Sequence, residues 1–283
     1  MGEKMSKVDI ITTTFRNTEK LKICISSILE KTNHVDYKWY LWCNDPDDEV
    51  KKVVYNSLFV DNIMFTDQVV PIYNDSNDGS FSSNNNEAAG EGSSEYILFM
   101  NDDIEPLNDE WLVNMVNILD TDSNIGAVGA MLLYPDKKTI QHCGVFFSHR
   151  TNNLPFHMHY RQPVDKVKDF ISVPRYYQAV TAACMLVRRD DFNSIGGFST
   201  DFFYGFEDVA LCLDIKDKLK KRTVYCPFAQ LVHHEGISDF SKKQDHPRLQ
   251  KNILALKKGY ADKYFNDYDF YIRDPNFMVY KLK

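Results

Sequence analysis

Three short segments of this chain end an apolar run in groups that can hold or move charge. Asn101-Asp102-Asp103 closes the run Tyr96-Ile97-Leu98-Phe99-Met100, Glu207-Asp208 follows the aromatic stretch Phe202-Phe203-Tyr204-Gly205-Phe206, and His233-His234 closes a run through Leu231-Val232. Two adjacent carboxylates at one strand end repel each other unless something positive lies between or beside them. A hard divalent cation carrying phosphate oxygens is the natural occupant, because Mg²⁺ and Mn²⁺ prefer one or two carboxylates plus substrate phosphates. Each segment also has an ordinary reading. Asp102-Asp103 could be a solvated acidic turn, Glu207-Asp208 the acidic first turn of a helix, and the histidines a surface or internally satisfied pair. What lifts the set is its order along the chain.

The elements that must position these groups follow from the apolar pattern. Tyr96–Met100 is too short for a helix and does not alternate, so it reads as a strand buried on both faces, as in a parallel sheet covered by helices. Pro106 stops that strand from continuing. Upstream, Val8–Thr14 is a β-branched strand, and Asn17 or Thr18 caps a helix with Leu21, Cys24, Ile25, Ile28 and Leu29 at helical spacing. Tyr37–Cys43 is a second strand, Asp47–Leu58 a helix with acids in its first turn, Asn62–Phe65 a short third strand, and Ser82–Ala89 a short helix after the turn-forming stretch Asn74–Ser80. This alternation is the pattern of a nucleotide-binding α/β sheet, in which ligands sit at the carboxyl ends of the strands.

Beyond the centre, Asn108–Leu119 is amphipathic, and Ile125–Leu133 and Ile140–Phe147 read as strands around the Tyr134-Pro135-Asp136 turn. His149–Arg175 is polar and proline-punctuated, a long loop expected to act as a lid over the cleft. With no acid beside them, His157 and His159 within it read as surface histidines. Ala179–Val187 is a strand, Asp190–Ile195 a helix ended by Gly196-Gly197, Glu207–Leu219 a helix, and Thr223–Cys226 and Gln230–His233 short strands. A helix is expected around Leu249–Tyr264.

Composition excludes several classes. The chain has 283 residues, enough for a full core, with 43% hydrophobic and 26% charged residues as in ordinary globular proteins. No apolar run is long enough for a membrane span and no signal-type segment precedes the first strand, so the expectation is a cytoplasmic protein, with peripheral membrane contact still compatible. The six cysteines are scattered without CxxC pairs and read as reduced core residues. A net charge of −7 argues against a general nucleic-acid binder, although it does not exclude a nucleic acid as substrate. Neither a GxGxxG fingerprint nor a P-loop lysine motif follows the first strand, which removes most of the weight from NAD and NTPase readings.

Taken together, the motifs resemble family 2 glycosyltransferases of the GT-A fold, close to rhamnosyltransferase-like members, from Val8 to about Ser238. The resemblance is carried by Thr13-Thr14-Phe15-Arg16, Ser80-Phe81-Ser82-Ser83-Asn84-Asn85-Asn86, the DxD-type Asn101-Asp102-Asp103, Ala182–Arg189, Gly196-Gly197-Phe198, Phe206-Glu207-Asp208 and His233-His234, in family order. It implies an α/β fold with a mixed, mostly parallel central sheet flanked by helices. The domain would span 1–238, with a nucleotide-binding half at 1–103 and an acceptor and catalytic half at 104–238, followed by a helical and aromatic extension at 239–283.

The implied activity is the inverting, metal-dependent transfer of a sugar from a UDP- or dTDP-sugar to an acceptor hydroxyl on a glycan, a lipid-linked glycan or another acceptor such as a protein or a modified nucleic acid, with polysaccharide biosynthesis as the expected setting. Thr14, Arg16, Asn44, Asn85 and Asp102 would bind the donor nucleotide. Asp103 with His233, or less directly His234, would hold Mn²⁺ or Mg²⁺. Asp208 would be the base and Glu207 its supporting neighbour. The chain departs from the family where Cys43 precedes Asn44 in place of an acid, where Ser80 replaces a common glycine, and where Ala210 replaces a second acid. A non-catalytic nucleotide-sugar binder of the same fold is the alternative, and a metal-dependent hydrolase fits less well.

Overall fold

The unalternating apolar runs form the middle of a sheet. In the computed structural model, which describes residues 7–60, 63–64, 66–75, 79–234 and 247–282, the first half contains β1 (Val8–Thr14), α1 (Thr18–Lys31), β2 (Tyr37–Asn44), α2 (Asp48–Leu58), β3 (Phe59–Val60), β4 (Ile63–Met64), β5 (Val69–Asn74), α3 (Phe81–Gly90) and β6 (Tyr96–Met100). Then come β7 (Ile104–Pro106), α4 (Trp111–Thr121), β8 (Ile125–Leu133), β9 (Ile140–His142), β10 (Val145–Phe147), β11 (Pro155–His157) and α5 (Val164–Ile171). The chain continues through β12 (Arg175–Tyr177), β13 (Cys184–Arg188), α6 (Arg189–Ile195), α7 (Glu207–Leu219), β14 (Arg222–His233), α8 (Pro247–Tyr260) and α9 (Tyr268–Arg273).

Among the described residues the main sheet has ten strands, in the order β12-β14-β8-β13-β6-β1-β2-β5, with β7 paired to β14 and β9 to β8. β1, β2, β5, β6, β8 and β14 run one way, and β7, β9, β12 and β13 run against them. The sheet is thus mixed with mostly parallel strands. The pleat sends Tyr96, Leu98 and Met100 of β6 to one face, where they pack with α1, α2 and α4, and Ile97 and Phe99 to the other, with α3, α6, α7 and α8. All five are essentially sealed from solvent, each such side chain stabilising the fold by about 1.5–3 kcal/mol relative to exposure. Trp39 and Trp111 are also fully buried; their indole N–H groups donate to Thr12 Oγ1 at 3.0 Å and Thr32 Oγ1 at 3.2 Å. All six cysteines are free and buried, as expected of core thiols.

Several elements differ from the sequence expectation. α4 starts at Trp111, three residues after Asn108. Ile140–Phe147 is two strands, because Gly144, at φ 116°, turns the chain between β9 and β10 and sends β10 to pair with β11. Ala179–Ala183 is apolar but irregular, and the strand starts at Cys184. β5 extends the sheet edge beyond β2, tolerating Pro71 as an edge strand can. Of the expected strand Asn62–Phe65, Ile63–Met64 pairs in a small hairpin with Phe59–Val60, while Asn62 and Phe65 lie outside the described residues. The 149–175 stretch contains β11 and α5 rather than being structureless. The boundary at 238/239 also lies outside the described residues. The segment 247–282 packs closely on the rest: Leu256, Tyr271 and Tyr280 are buried, and buried Arg175 donates to the carbonyls of Phe170, Pro275 and Phe277.

Candidate active site

The carboxyl ends of β1, β2, β5 and β6 lie side by side, and the polar residues that follow them interlock. Thr14 Oγ1 donates to Asp102 Oδ2 at 2.6 Å, and Asn17 Nδ2 donates to Asp102 Oδ1 at 3.0 Å. Asn17 is the N-cap residue of α1, yet its side chain makes no capping bond; it is turned to the acid instead. Burial, with Asp103 alongside, raises the Asp102 pKa to about 6, against the pull of the Thr14 and Asn17 hydrogen bonds. Asn74 Nδ2 donates to Asn44 Oδ1 at 3.2 Å. Arg16 and Asp45, both at positive φ, form an exposed ion pair of 2.9 Å over the same strand ends. Asn85 is buried within α3 and donates to Phe81 O at 2.9 Å.

Asp103 meets histidine because β7 begins one residue later and pairs with the end of β14, Ile104 lying opposite His233. The His234 amide donates to Asp103 O at 2.9 Å, locking the two strand ends together. His233 Nε2 then lies 3.0 Å from Asp103 Oδ1. Its other nitrogen, Nδ1, is 2.6 Å from Gln141 Oε1, which can only accept, so Nδ1 carries the proton and Nε2 the lone pair. Asn101 Nδ2 donates to that lone pair at 3.1 Å. His234 turns the other way, to Glu105 Oε2 at 3.0 Å, and Glu105 in turn pairs with Lys137.

This donor set fits a divalent cation. A carboxylate oxygen facing an imidazole lone pair is unfavourable without a cation, and two cis ligands of an octahedral ion at about 2.1 Å are roughly 3 Å apart, the separation observed between Asp103 and His233. The Gln141 bond is the outer contact that orients a ligating imidazole. No group of three or more His, Cys, Asp or Glu side chains suited to a metal occurs among the described residues. Two protein ligands suit an ion that takes its remaining ligands from phosphate and water.

Beside this pair lies a cavity of about 340 Å³ lined in part by Asn101, His157, Thr181, Glu207, Asp208 and His233. Phe206 occupies the N-cap position of α7 at φ 74° without a side-chain cap, so Asp208 is not the capping residue. Asp208 Oδ2 accepts from the Ala182 amide at 3.1 Å and Oδ1 from the Val209 amide at 2.8 Å. Burial raises the pKa of Asp208, these amides opposing it. Glu207 is raised further above the ordinary carboxylate range, by burial and by the Asp208 charge, and its buried Oε2 has no hydrogen-bond partner. The Ala182 and Val209 amides favour the ionised form of Asp208.

The 149–175 stretch corrects one expectation. His157 is not a surface residue: it is half-buried, lines the cavity and lies 2.7 Å from His142 through their Nδ1 atoms. His159 is half-buried with its ring edge-on to Phe170 at 4.7 Å. Of the residues named from sequence, Thr14 and Asp102 meet at one cluster, Asp103 and His233 at a second, and Glu207 and Asp208 at the cavity wall; His234 stands apart. Asn17, Asn74, Asn101, Gln141, His142 and Thr181 were not singled out. Only Asn17 and Asn101 carried a local signal, one as a cap candidate and one as the first residue of the acidic turn.

The architecture defines a GT-A-like fold. Solved structures confirm it: "GalNAc-T7 with UDP, GalNAc and Mn2+" superposes with a TM-score of 0.67 at 12% identity, over 92% of this chain and 50% of that one. The mannosyltransferase PcManGT from Pyrobaculum calidifontis, solved with GDP-Man and Mn2+, gives 0.57 at 14% identity over 91% of this chain and 70% of that one. The chain belongs to glycosyl transferase family 2, whose family model matches residues 9–196. An uncharacterised protein from Sinorhizobium fredii is 30% identical over 92% of this chain, and the O-antigen biosynthesis protein RfbC from Myxococcus xanthus is 34% identical over 54% of it. The chain spans 28% of the first relative's length and 12% of the second's. Among the described residues, no helix is long and apolar enough to cross a membrane.

Proposed function

We propose that this domain transfers a sugar from a nucleotide-sugar, of the UDP or dTDP type, to a hydroxyl of a glycan or lipid-linked glycan, with inversion at the anomeric carbon. The observation that carries the proposal is the Asp103–His233 pair at 3.0 Å, with the imidazole proton drawn away to Gln141 and Asp208 lining the adjoining cavity. Asp103 and His233 would hold Mn²⁺ or Mg²⁺, which when bound neutralises charge on a nucleoside diphosphate leaving group as a Lewis acid. Thr14, Arg16, Asn44, Asn85 and Asp102 belong to the 1–103 half and would surround the nucleotide, at the strand ends where such ligands bind. Asp208 takes the proton of the acceptor hydroxyl as that oxygen bonds to the sugar. A carboxylate manages this because proton transfer accompanies bond formation. A base acting directly on the acceptor, with no covalent sugar on the protein, gives a single displacement and hence inversion.

The occurrence of O-antigen biosynthesis in the name of a relative supports a polysaccharide setting. Release of nucleoside diphosphate from a panel of UDP-, dTDP- and GDP-sugars, with and without glycan acceptors and Mn²⁺, tests the proposal. Release that requires acceptor and stops in EDTA is expected. Tight donor binding with no release under any acceptor would show a binding protein, and full turnover in EDTA would remove the metal from the reaction.

A further inference from the structure

The mechanism above leaves a buried histidine pair beside the cavity unused. His142 is fully buried, and its Nε2 accepts from the amides of Gly144 at 3.3 Å and Thr181 at 3.4 Å. An imidazole nitrogen that accepts carries no proton, so His142 is protonated on Nδ1. That Nδ1 lies 2.7 Å from His157 Nδ1, so His142 donates and His157 accepts. The proton of His157 is thereby forced onto Nε2. Its half-buried ring lines the cavity that also holds Glu207 and Asp208.

We propose that His157 is an acceptor-binding residue, fixed by His142 as a neutral hydrogen-bond donor toward the cavity, and that the group it recognises is a hydroxyl-bearing sugar ring. This rests on the transfer reaction proposed above, in which the cavity beside Asp208 takes the acceptor. One irregular segment, leading into β13, ties the two functions together. The Thr181 amide fixes His142, and the next amide, Ala182, fixes Asp208. A group held by His157 is therefore registered against the base through consecutive peptide units. The neighbouring side chains suit a sugar: Phe156 and Tyr204 both line the cavity and are both 44% exposed. An aromatic face beside a neutral donor matches the apolar C–H face and hydroxyl edge of a pyranose.

The Asp208 carboxylate on the cavity wall argues against a phosphate at this position, and Arg248, which also lines it, has its guanidinium 4.1 Å over the Phe203 ring. Burial holds His157 down to about 4, in keeping with a neutral ring.

Ring ¹⁵N NMR of the uniformly labelled full chain tests this without reference to turnover. The expected result is the Nδ1–H tautomer for His142 and the Nε2–H tautomer for His157. Titration with methyl glucoside, methyl galactoside and methyl rhamnoside at tens of millimolar should shift His157, whereas Mg²⁺ with inorganic pyrophosphate should shift His233 and leave His157 in place. The opposite tautomer at His157, a shift on pyrophosphate, or no shift with any glycoside overturns the proposal. With the best-binding glycoside as acceptor, His157→Phe should lower kcat/KM for that acceptor about three- to tenfold at unchanged donor KM, as loss of one neutral hydrogen bond requires. His157→Gln, which keeps an N–H donor, should recover part of it. His142→Phe should raise the acceptor KM in the same way; equal changes in donor and acceptor KM would mark a merely structural pair. If Asp208→Asn kept full turnover while glycosides still shifted His157, the proposed base would fail and the sugar subsite would stand.

Discussion

At the scale of single residues, the site separates acids that share a sequence neighbourhood. Asp208 has two backbone amides on its carboxylate, whereas the buried Oε2 of Glu207 has no partner. Asp208→Asn should reduce transfer by ~10²–10⁴, the usual contribution of a general base. Because asparagine offers one carbonyl oxygen to two amides, it should also lose about 1–3 kcal/mol of stability, seen as a lower melting temperature in the same preparation. Glu207→Gln is expected to fold and turn over. Its stability carries the pH signature. Burial and the Asp208 charge raise the Glu207 pKa in the folded state, so above the ordinary glutamate range the folded protein retains a proton that the unfolded chain has lost. Stability then falls as pH rises through the raised pKa. Glutamine cannot charge, so the melting temperature of Glu207→Gln relative to the parent should rise between about pH 5 and about pH 8.5; a constant difference would contradict the assignment. For the metal, Asp103→Asn and His233→Gln should each abolish Mn²⁺-dependent binding of UDP in calorimetry. His234→Ala should leave it intact, since that ring faces Glu105.

At the scale of elements, the cavity depends on how the chain bends between β9 and β10. Gly144 adopts φ 116°, and a Cβ there would lie 2.3 Å from the Tyr177 ring. Gly144→Ala should therefore cost about 1–3 kcal/mol through overpacking and backbone strain together, measurable as a lower urea midpoint. It should also disturb His142, which accepts the Gly144 amide. This bend shows what the sequence could and could not say. Ile140–Phe147 has the composition of one strand, and only its pairing reveals two. Ala179–Ala183 is apolar for a different reason: it is a buried connection whose amides serve His142 and Asp208. By contrast β1, β2 and β6 were legible because strands buried on both faces must be continuously apolar. The acids after β6 were legible because polar groups ending such a run need a purpose. The partners of those acids were not. Gln141, His142 and His157 approach through antiparallel pairings that leave no trace in local spacing, and Asn17 looks like a helix cap until its side chain is seen on Asp102.

At the scale of the whole molecule, the segment after the undescribed stretch acts on the cavity rather than trailing from the domain. Asn252 of α8 is buried, donates to Tyr204 O at 2.6 Å and Gly205 O at 3.1 Å, and accepts from the Phe203 amide at 3.4 Å. It thereby satisfies the turn that precedes Glu207 and Asp208, where Gly205 and Phe206 take positive φ in succession. A turn of that kind persists only when its surroundings over-determine it. Asn252→Ala removes these bonds, at a cost of about 1–3 kcal/mol. The functional effect should be one-sided. The Asp103–His233 pair and the Thr14–Asp102 contact are held by β1, β6, β7 and β14 and do not involve α8, so the affinity for UDP with Mn²⁺ should stay at the parental value. Turnover should fall, because the backbone carrying the proposed base is no longer fixed. Calorimetric UDP binding and initial transfer rates on the same variant separate the two halves. Loss of UDP binding in Asn252→Ala would mean that α8 supports the fold as a whole, and that its link to the aromatic turn has no separate role in catalysis.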